Sequence, residues 1–164
     1  MNTGIPPDAA YRPCVGIALF NHAGLVFIGR RAGFSGQDAW QMPQGGIDPD
    51  ETPRDAAVRE LREETGVTAV SFLAEAPEWL RYDLPAEAQK ASWRGRYRGQ
   101  TQKWFAFRFE GKDDDINVLE PAGGHKAEFA EWRWERLNLT PGLIVAFKRP
   151  VYEEVTKIFA GFSN

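Results

Sequence analysis

Three glutamates, Glu60, Glu63 and Glu64, stand at i, i+3 and i+4 within residues 45–67, which read GGIDPDETPRDAAVRELREETGV. The residues around them dictate a helix. Thr52 can cap it, Pro53 suits its first position, Asp55 puts a carboxylate in its first turn, and Gly66 suits the left-handed residue that ends it. Ala57, Val58, Leu61 and Thr65 follow the three- and four-residue spacing of a buried stripe. On such a helix the three glutamates share one face, within reach of a common point. Like charges so placed weaken a helix by about 0.2–0.5 kcal/mol per pair, so a positive partner is expected among them. Oxygen-only ligands point to a hard divalent cation, Mg²⁺ first and Mn²⁺ second. Arg59, four residues before Glu63, can hold that carboxylate in place. Upstream, the pair Gly45-Gly46 permits backbone conformations that a side chain forbids.

The remaining segments supply a sheet for this helix to pack on. Residues 14–20 and 25–30 are β-prone and separated by Asn21-His22-Ala23-Gly24, so a hairpin is the simplest reading. A short element over residues 39–43 leads into Gln44-Gly45-Gly46. Further strands are expected over residues 70–75, 102–109 and 131–134, with Trp104, Ala106 and Arg108 on one face and Phe105, Phe107 and Phe109 on the other. Residues 85–100, polar and basic, and 110–126, acidic and Gly-rich, read as long loops. Val151, Val155, Ile158 and Phe162 after Pro150 predict a C-terminal helix.

With 164 residues and 43% hydrophobic content, the chain can bury one sizeable core but is too short for two ordinary domains. The expectation is a flexible lead-in over residues 1–10 and a single domain over 11–164. No apolar run reaches the ~20 residues of a membrane helix, and no signal segment opens the chain, so a cytoplasmic protein without a membrane partner is expected. The lone Cys14 lies in an apolar stretch and reads as core. A net charge of −3 gives no global attraction to a polyanion, so a phosphate-bearing substrate has to be held by local cations or bound metal.

The sequence resembles the Nudix hydrolases: Gly45, Glu51, Arg59, Glu60, Leu61, Glu63, Glu64, Gly66 and Val67 match every fixed position of their signature. It is similar in particular to the bacterial RNA pyrophosphohydrolases and related dinucleoside polyphosphate hydrolases. That likeness is carried by Tyr11-Arg12-Pro13, Trp40-Gln41-Met42-Pro43-Gln44-Gly45-Gly46, Trp79-Leu80-Arg81-Tyr82, Gln102-Lys103-Trp104-Phe105, Glu128-Phe129 with Trp132-Arg133-Trp134, and Phe147-Lys148-Arg149. The resemblance implies an α/β fold, the Nudix α/β/α sandwich with a mixed β-sheet and a loop-helix-loop Nudix box. It implies a metal site built by Glu60 and Glu64, with Glu63 adjoining, the Gly45 carbonyl contributing and Glu128 reaching back from far along the chain. Arg12, Arg31 and Lys148 match cations that meet the polyphosphate, Gln44 belongs to the substrate-binding set, and Tyr82 is either a nucleobase-packing ring or a core tyrosine. Arg59 joins Glu63 and Glu128 in the catalytic set.

The chemistry implied is in-line displacement at phosphorus, with divalent cations neutralising the developing charge and a carboxylate taking the proton of the attacking water. Glu63 and Glu128 both qualify as that base, and Glu63 is favoured. The expected substrate is a triphosphorylated RNA 5′ end, cut to a monophosphate with release of pyrophosphate, alongside dinucleoside polyphosphates. A dedicated diadenosine tetraphosphate hydrolase is the alternative, and a non-catalytic nucleotide-binding module is the alternative of another class. Residues 90–98 interleave four cations with two aromatics, the composition of a nucleic-acid contact. No DNA partner is expected, and the oligomeric state stays open with a monomer favoured.

Overall fold

The apolar run that begins at Tyr11 becomes the strand on which the sheet is organised. A computed structural model of the chain describes residues 4–5, 9–91, 96–120 and 126–164, the side chain of Ala91 excepted. In chain order its elements are β1 (Tyr11–Phe20), β2 (Val26–Arg31), β3 (Trp40–Gln41), β4 (Gln44–Gly46), α1 (Pro53–Thr65), β5 (Val70–Glu75), β6 (Leu80–Asp83), α2 (Ala86–Ala91), β7 (Gly99–Phe109), β8 (Phe129–Glu135) and α3 (Arg149–Ile158). β1 runs parallel to β7 along its whole length, from Tyr11 opposite Gly99 to Phe20 opposite Arg108. All other pairings are antiparallel: β2 and β4 on β1, β8 and β3 on β2, and β5 and β6 on β7. The sheet is therefore mixed.

Period-two alternation sorts the core into two layers. Val15, Ile17 and Leu19 of β1, with Phe105, Phe107 and Phe109 of β7, pack with Ala56, Ala57 and Leu61 of α1. Ala18, Phe20, Trp104 and Ala106 from the same strands pack with Val151, Tyr152, Val155 and Phe159 on the opposite side. The result is the α/β/α sandwich expected from the sequence, with α1 on one face and α3 on the other. Cys14 is fully buried, and burial pushes its thiol up to about 12, so it is a core residue. No helix among the described residues is long and apolar enough to cross a membrane.

Several expectations change in detail. The hairpin closes through Asn21, whose Oδ1 accepts the backbone N–H groups of Ala23 and Leu25, but β1 and β2 share one registered pair, Phe20 with Val26. Beyond it β1 turns to β4, and β2 turns to β8 and β3. On α1 the residues buried are Ala56, Ala57, Leu61, Glu64 and Thr65, whereas Val58 is 43% exposed. The buried arc is centred on Ala57 and Leu61 and continues through Glu64, which leaves Val58, about a quarter-turn from Ala57, just past its edge. The expected loop over residues 85–100 contains α2, and residues 80–83 form a strand because their backbone pairs with the start of β7. The C-terminal helix stops at Ile158, and Phe162 lies in a following 3-10 turn, its ring 6.0 Å from that of Phe20.

Candidate active site

Helix α1 is fixed in place by the signals its sequence carries. Thr52 Oγ1 accepts the Asp55 N–H at 3.1 Å, and Gly66 ends the helix at φ 76° while its N–H bonds the Arg62 carbonyl at 2.8 Å. From that helix Arg59 projects a guanidinium that organises the loop before it. Its Nε and Nη2 donate to the two carboxylate oxygens of Glu51 at 2.8 and 2.9 Å, and Nη2 also donates to the Gly46 carbonyl at 2.9 Å. Nη1 donates to Glu60 and to Glu63, each at 3.0 Å. Glu51 is held below the usual carboxylate range by its hydrogen bonds from Arg59. Arg59, expected to hold Glu63, thus reaches Glu60 and Glu51 as well.

Glu60, Glu63 and Glu64 line one groove of about 210 Å³ together with Lys126 and Glu128. Glu64 is 8% exposed. Burial, then the charges of Glu128 and Glu60, hold its carboxyl well above the usual range, while the Gln44 N–H, 3.3 Å from Oε2, opposes them. Glu60 is also raised, chiefly by burial, with Arg59 opposing. A Cβ at Gly45 would collide with the Glu60 carboxylate, so glycine is what lets the β4 backbone lie against that side chain. Among the described residues no three acidic, imidazole or thiol side chains already converge as a metal cluster. The donor set nevertheless fits a hard divalent cation: it is all oxygen, and Glu64 is buried with incomplete compensation while Glu60 is half-buried beside it. A cation there would relieve the penalty that burial imposes on Glu64.

The expected cations surround this groove unequally. Lys148 is 6% exposed; burial first, then Arg31, bring its ammonium down to about 8, with Glu128 and Glu64 opposing. Arg12 lies against Gly46, whose Cβ would strike its guanidinium, and its charge acts on Glu60. Arg31 lies in a neighbouring hollow, its Cζ 3.8 Å from the centre of the Phe34 ring. Gln44 contributes its backbone N–H to Glu64, and its side-chain oxygen accepts from Gln102 at 3.0 Å. Tyr82, expected either against a base or in the core, is in the core: it is 6% exposed, and its ring centre lies 5.6 Å from that of Phe147. Of the cation-rich segment 90–98, residues 92–95 lie outside the described residues.

Three participants were not foreseen. Glu51 matches the signature, yet it lies eight residues before Arg59, beyond any helical spacing rule, so its two-point pairing required the fold. Lys126 read as the end of a loop. The chain Trp104 Nε1 to Gln102 Oε1, then Gln102 Nε2 to Gln44 and Gln100, each link 3.0 Å, supports Gln44 from beneath; alternation along β7 put Gln102 and Trp104 on one face but could not pair them.

Residues 10–155 match the model of the NUDIX domain. An RNA pyrophosphohydrolase of Bradyrhizobium diazoefficiens is 58% identical over 161 residues, covering 96% of each chain. Among solved structures, the E. coli dihydroneopterin triphosphate pyrophosphohydrolase superposes with a TM-score of 0.64 at 17% identity, covering 88% of this chain and 96% of that one. A C. elegans Ap4A hydrolase binary complex superposes with a TM-score of 0.60 at 19% identity, covering 90% and 98%. At these identities the two structures are alike in fold.

Proposed function

The chain belongs to the Nudix family, and from that premise we propose that its glutamate groove removes pyrophosphate from the triphosphorylated 5′ end of RNA and leaves a 5′-monophosphate. Dinucleoside polyphosphates are proposed as further substrates of the same site, in keeping with the fold shared with Ap4A hydrolases. RNA 5′ ends as substrate make the reaction cytoplasmic. The observation that carries the reading is the convergence of Glu60, Glu63, Glu64 and Glu128 on one groove, in a chain 58% identical to an RNA pyrophosphohydrolase along nearly its whole length.

Glu60, Glu64 and the Gly45 carbonyl are the proposed holders of divalent cation, Mg²⁺ before Mn²⁺, with Glu63 and Glu128 beside them. When bound, the cation neutralises charge on the phosphates during displacement and makes water more acidic. The protein's own residues do the rest. Arg59 fixes Glu60 and Glu63 relative to the Gly46 carbonyl, so the groove keeps its shape as the substrate arrives. Arg12, Arg31 and Lys148 hold the non-reacting phosphates, and Gln44 borders them. Glu63 takes the proton of the attacking water, and Glu128 is the other group able to do so.

Glu64→Gln removes the most buried carboxylate with little change of shape. It is expected to lower turnover by several orders of magnitude while leaving the circular dichroism spectrum intact; unchanged turnover rejects the site. Glu63→Gln and Glu128→Gln separate the two candidate bases. The base variant loses kcat while keeping its affinity for Mn²⁺, read by calorimetry, whereas a ligand variant loses both. Competition between a 5′-triphosphorylated oligonucleotide and diadenosine tetraphosphate tests the substrate, and a preference of about a hundredfold or more for the dinucleotide sinks the RNA reading.

A further inference from the structure

We infer that Gln102 is a positioning residue for phosphate binding: aligned by the Trp104 indole, it turns the side-chain amides of Gln44 and Gln100 so that both present N–H donors to the polyphosphate. This rests on the function proposed above, since the phosphates that the donors meet are that substrate's.

An indole N–H can donate but never accept. Trp104 Nε1 donates to Gln102 Oε1 at 3.0 Å, and the ring has no room to turn. It is fully buried, Tyr152 stands edge-on to it at 5.6 Å, and a Cβ at Gly16 would strike it. The buried Gln102 amide therefore has one orientation. Its two N–H groups go one each to Gln44 Oε1 and Gln100 Oε1, both at 3.0 Å. With their oxygens held by Gln102, the two outer amides direct Nε2 away from it. Neither Nε2 has a partner among the described residues, and neither is sealed from solvent.

The surroundings of these donors are already positive. The register sets Gln100 between Arg12 of β1 and Tyr82 of β6, and partners in register share a face of the sheet. Lys148 Nζ lies 5.5 Å from the centre of the Tyr82 ring. Gln44, the other amide held by Gln102, gives its backbone N–H to Glu64, so the pair of donors reaches from the cations to the glutamate groove. A free amide beside the Arg12 guanidinium would turn its oxygen to that charge. The link to Trp104 forbids this at Gln100, and the nitrogen end adds to the positive field instead. Such an arrangement favours an anion, and it adds affinity for phosphate without adding charge to the chain.

The test uses the full chain with saturating Mg²⁺ at neutral pH, as wild type, Gln102→Glu and Gln102→Met. Gln102→Glu keeps the shape and still accepts from Trp104, but its carboxylate, kept ionised by three N–H groups, donates nothing. Gln44 and Gln100 then turn their nitrogens to it and offer oxygens to the phosphates. KM for a 5′-triphosphorylated oligonucleotide and Kd for inorganic pyrophosphate, read by calorimetry, are both expected to rise roughly 10- to 100-fold, while kcat stays within about threefold. Gln102→Met brings no charge and leaves the outer amides unaligned, and both constants are expected to rise about 3- to 10-fold. In wild type, pyrophosphate should shift the side-chain amide resonances of Gln44 and Gln100 in a proton–nitrogen correlation spectrum, a response lost in Gln102→Glu while the Trp104 indole resonance keeps its hydrogen-bonded position. The inference is overturned if pyrophosphate moves neither amide in wild type, a result that decides the matter even where a variant fails to fold. It is overturned as well if Gln102→Met binds pyrophosphate as tightly as wild type, since the loss in Gln102→Glu would then be an effect of charge, or if kcat falls as far as KM rises. Pyrophosphate binding needs no RNA, so a protein that meets these expectations yet leaves triphosphorylated RNA uncut overturns the proposed substrate and not the role of Gln102.

Discussion

Arg59 bonds three carboxylates and a carbonyl through one planar fork, a geometry that a single ammonium cannot reproduce. Arg59→Ala strands Glu51, Glu60 and Glu63 beside one another, and urea denaturation should show a loss of about 2–3 kcal/mol. Arg59→Lys should recover part of that stability but little turnover, because the carboxylates would no longer be held in a fixed relation. Lys148 makes the opposite kind of prediction. Its folded value near 8 lies below the ordinary 10.5, so between those limits the unfolded chain binds the proton that the folded one has released, and the Lys148 contribution to stability improves as pH rises. Below pH 8 the buried charge costs the fold on the order of 3 kcal/mol. Lys148→Met should therefore be more stable than wild type at pH 7, an advantage that fades toward pH 10.5, while KM for the triphosphate rises. That cost is in keeping with the phosphate-holding role proposed for Lys148.

At the scale of elements, α1 was legible because each of its signals is local: a cap, a proline, a glycine and a stripe. Gly66→Ala forces a side chain into the left-handed region and should cost about 1 kcal/mol in thermal or urea melts, with Gly66→Asn costing less. The i, i+3, i+4 spacing placed Glu60, Glu63 and Glu64 on one face for the same reason. It could not place Glu51 or Lys126, whose positions depend on how loops return to the helix. Strand β6 escaped notice because four residues carry little periodicity, and it is a strand by virtue of its pairing with β7. Val58 misled because apolar spacing marks a stripe without saying which edge faces the sheet, and here a glutamate takes the inner edge. Glu128 came from resemblance to known sequences; nothing in its local pattern set it apart from a surface glutamate.

For the whole molecule, a net charge of −3 leaves attraction for RNA to local groups of cations. With Arg12, Arg31, Lys126 and Lys148 as the phosphate contacts, a plot of log KM against log salt should have a slope no steeper than about 3. A much steeper dependence would demand a larger basic surface than these four residues provide.

Because β8 is anchored on β2 and not on β1, the segment that brings Lys126 and Glu128 to the groove is carried by a different arm of the sheet from the one that bears Gly45 and Gln44. The glutamate groove and the hollow beside it are thus mounted on separate arms, meeting at the two side chains that line both. A designer could exchange the Gly33–Phe34 turn for a relative's and reshape that hollow while the helix carrying Glu60, Glu63 and Glu64 keeps its seat.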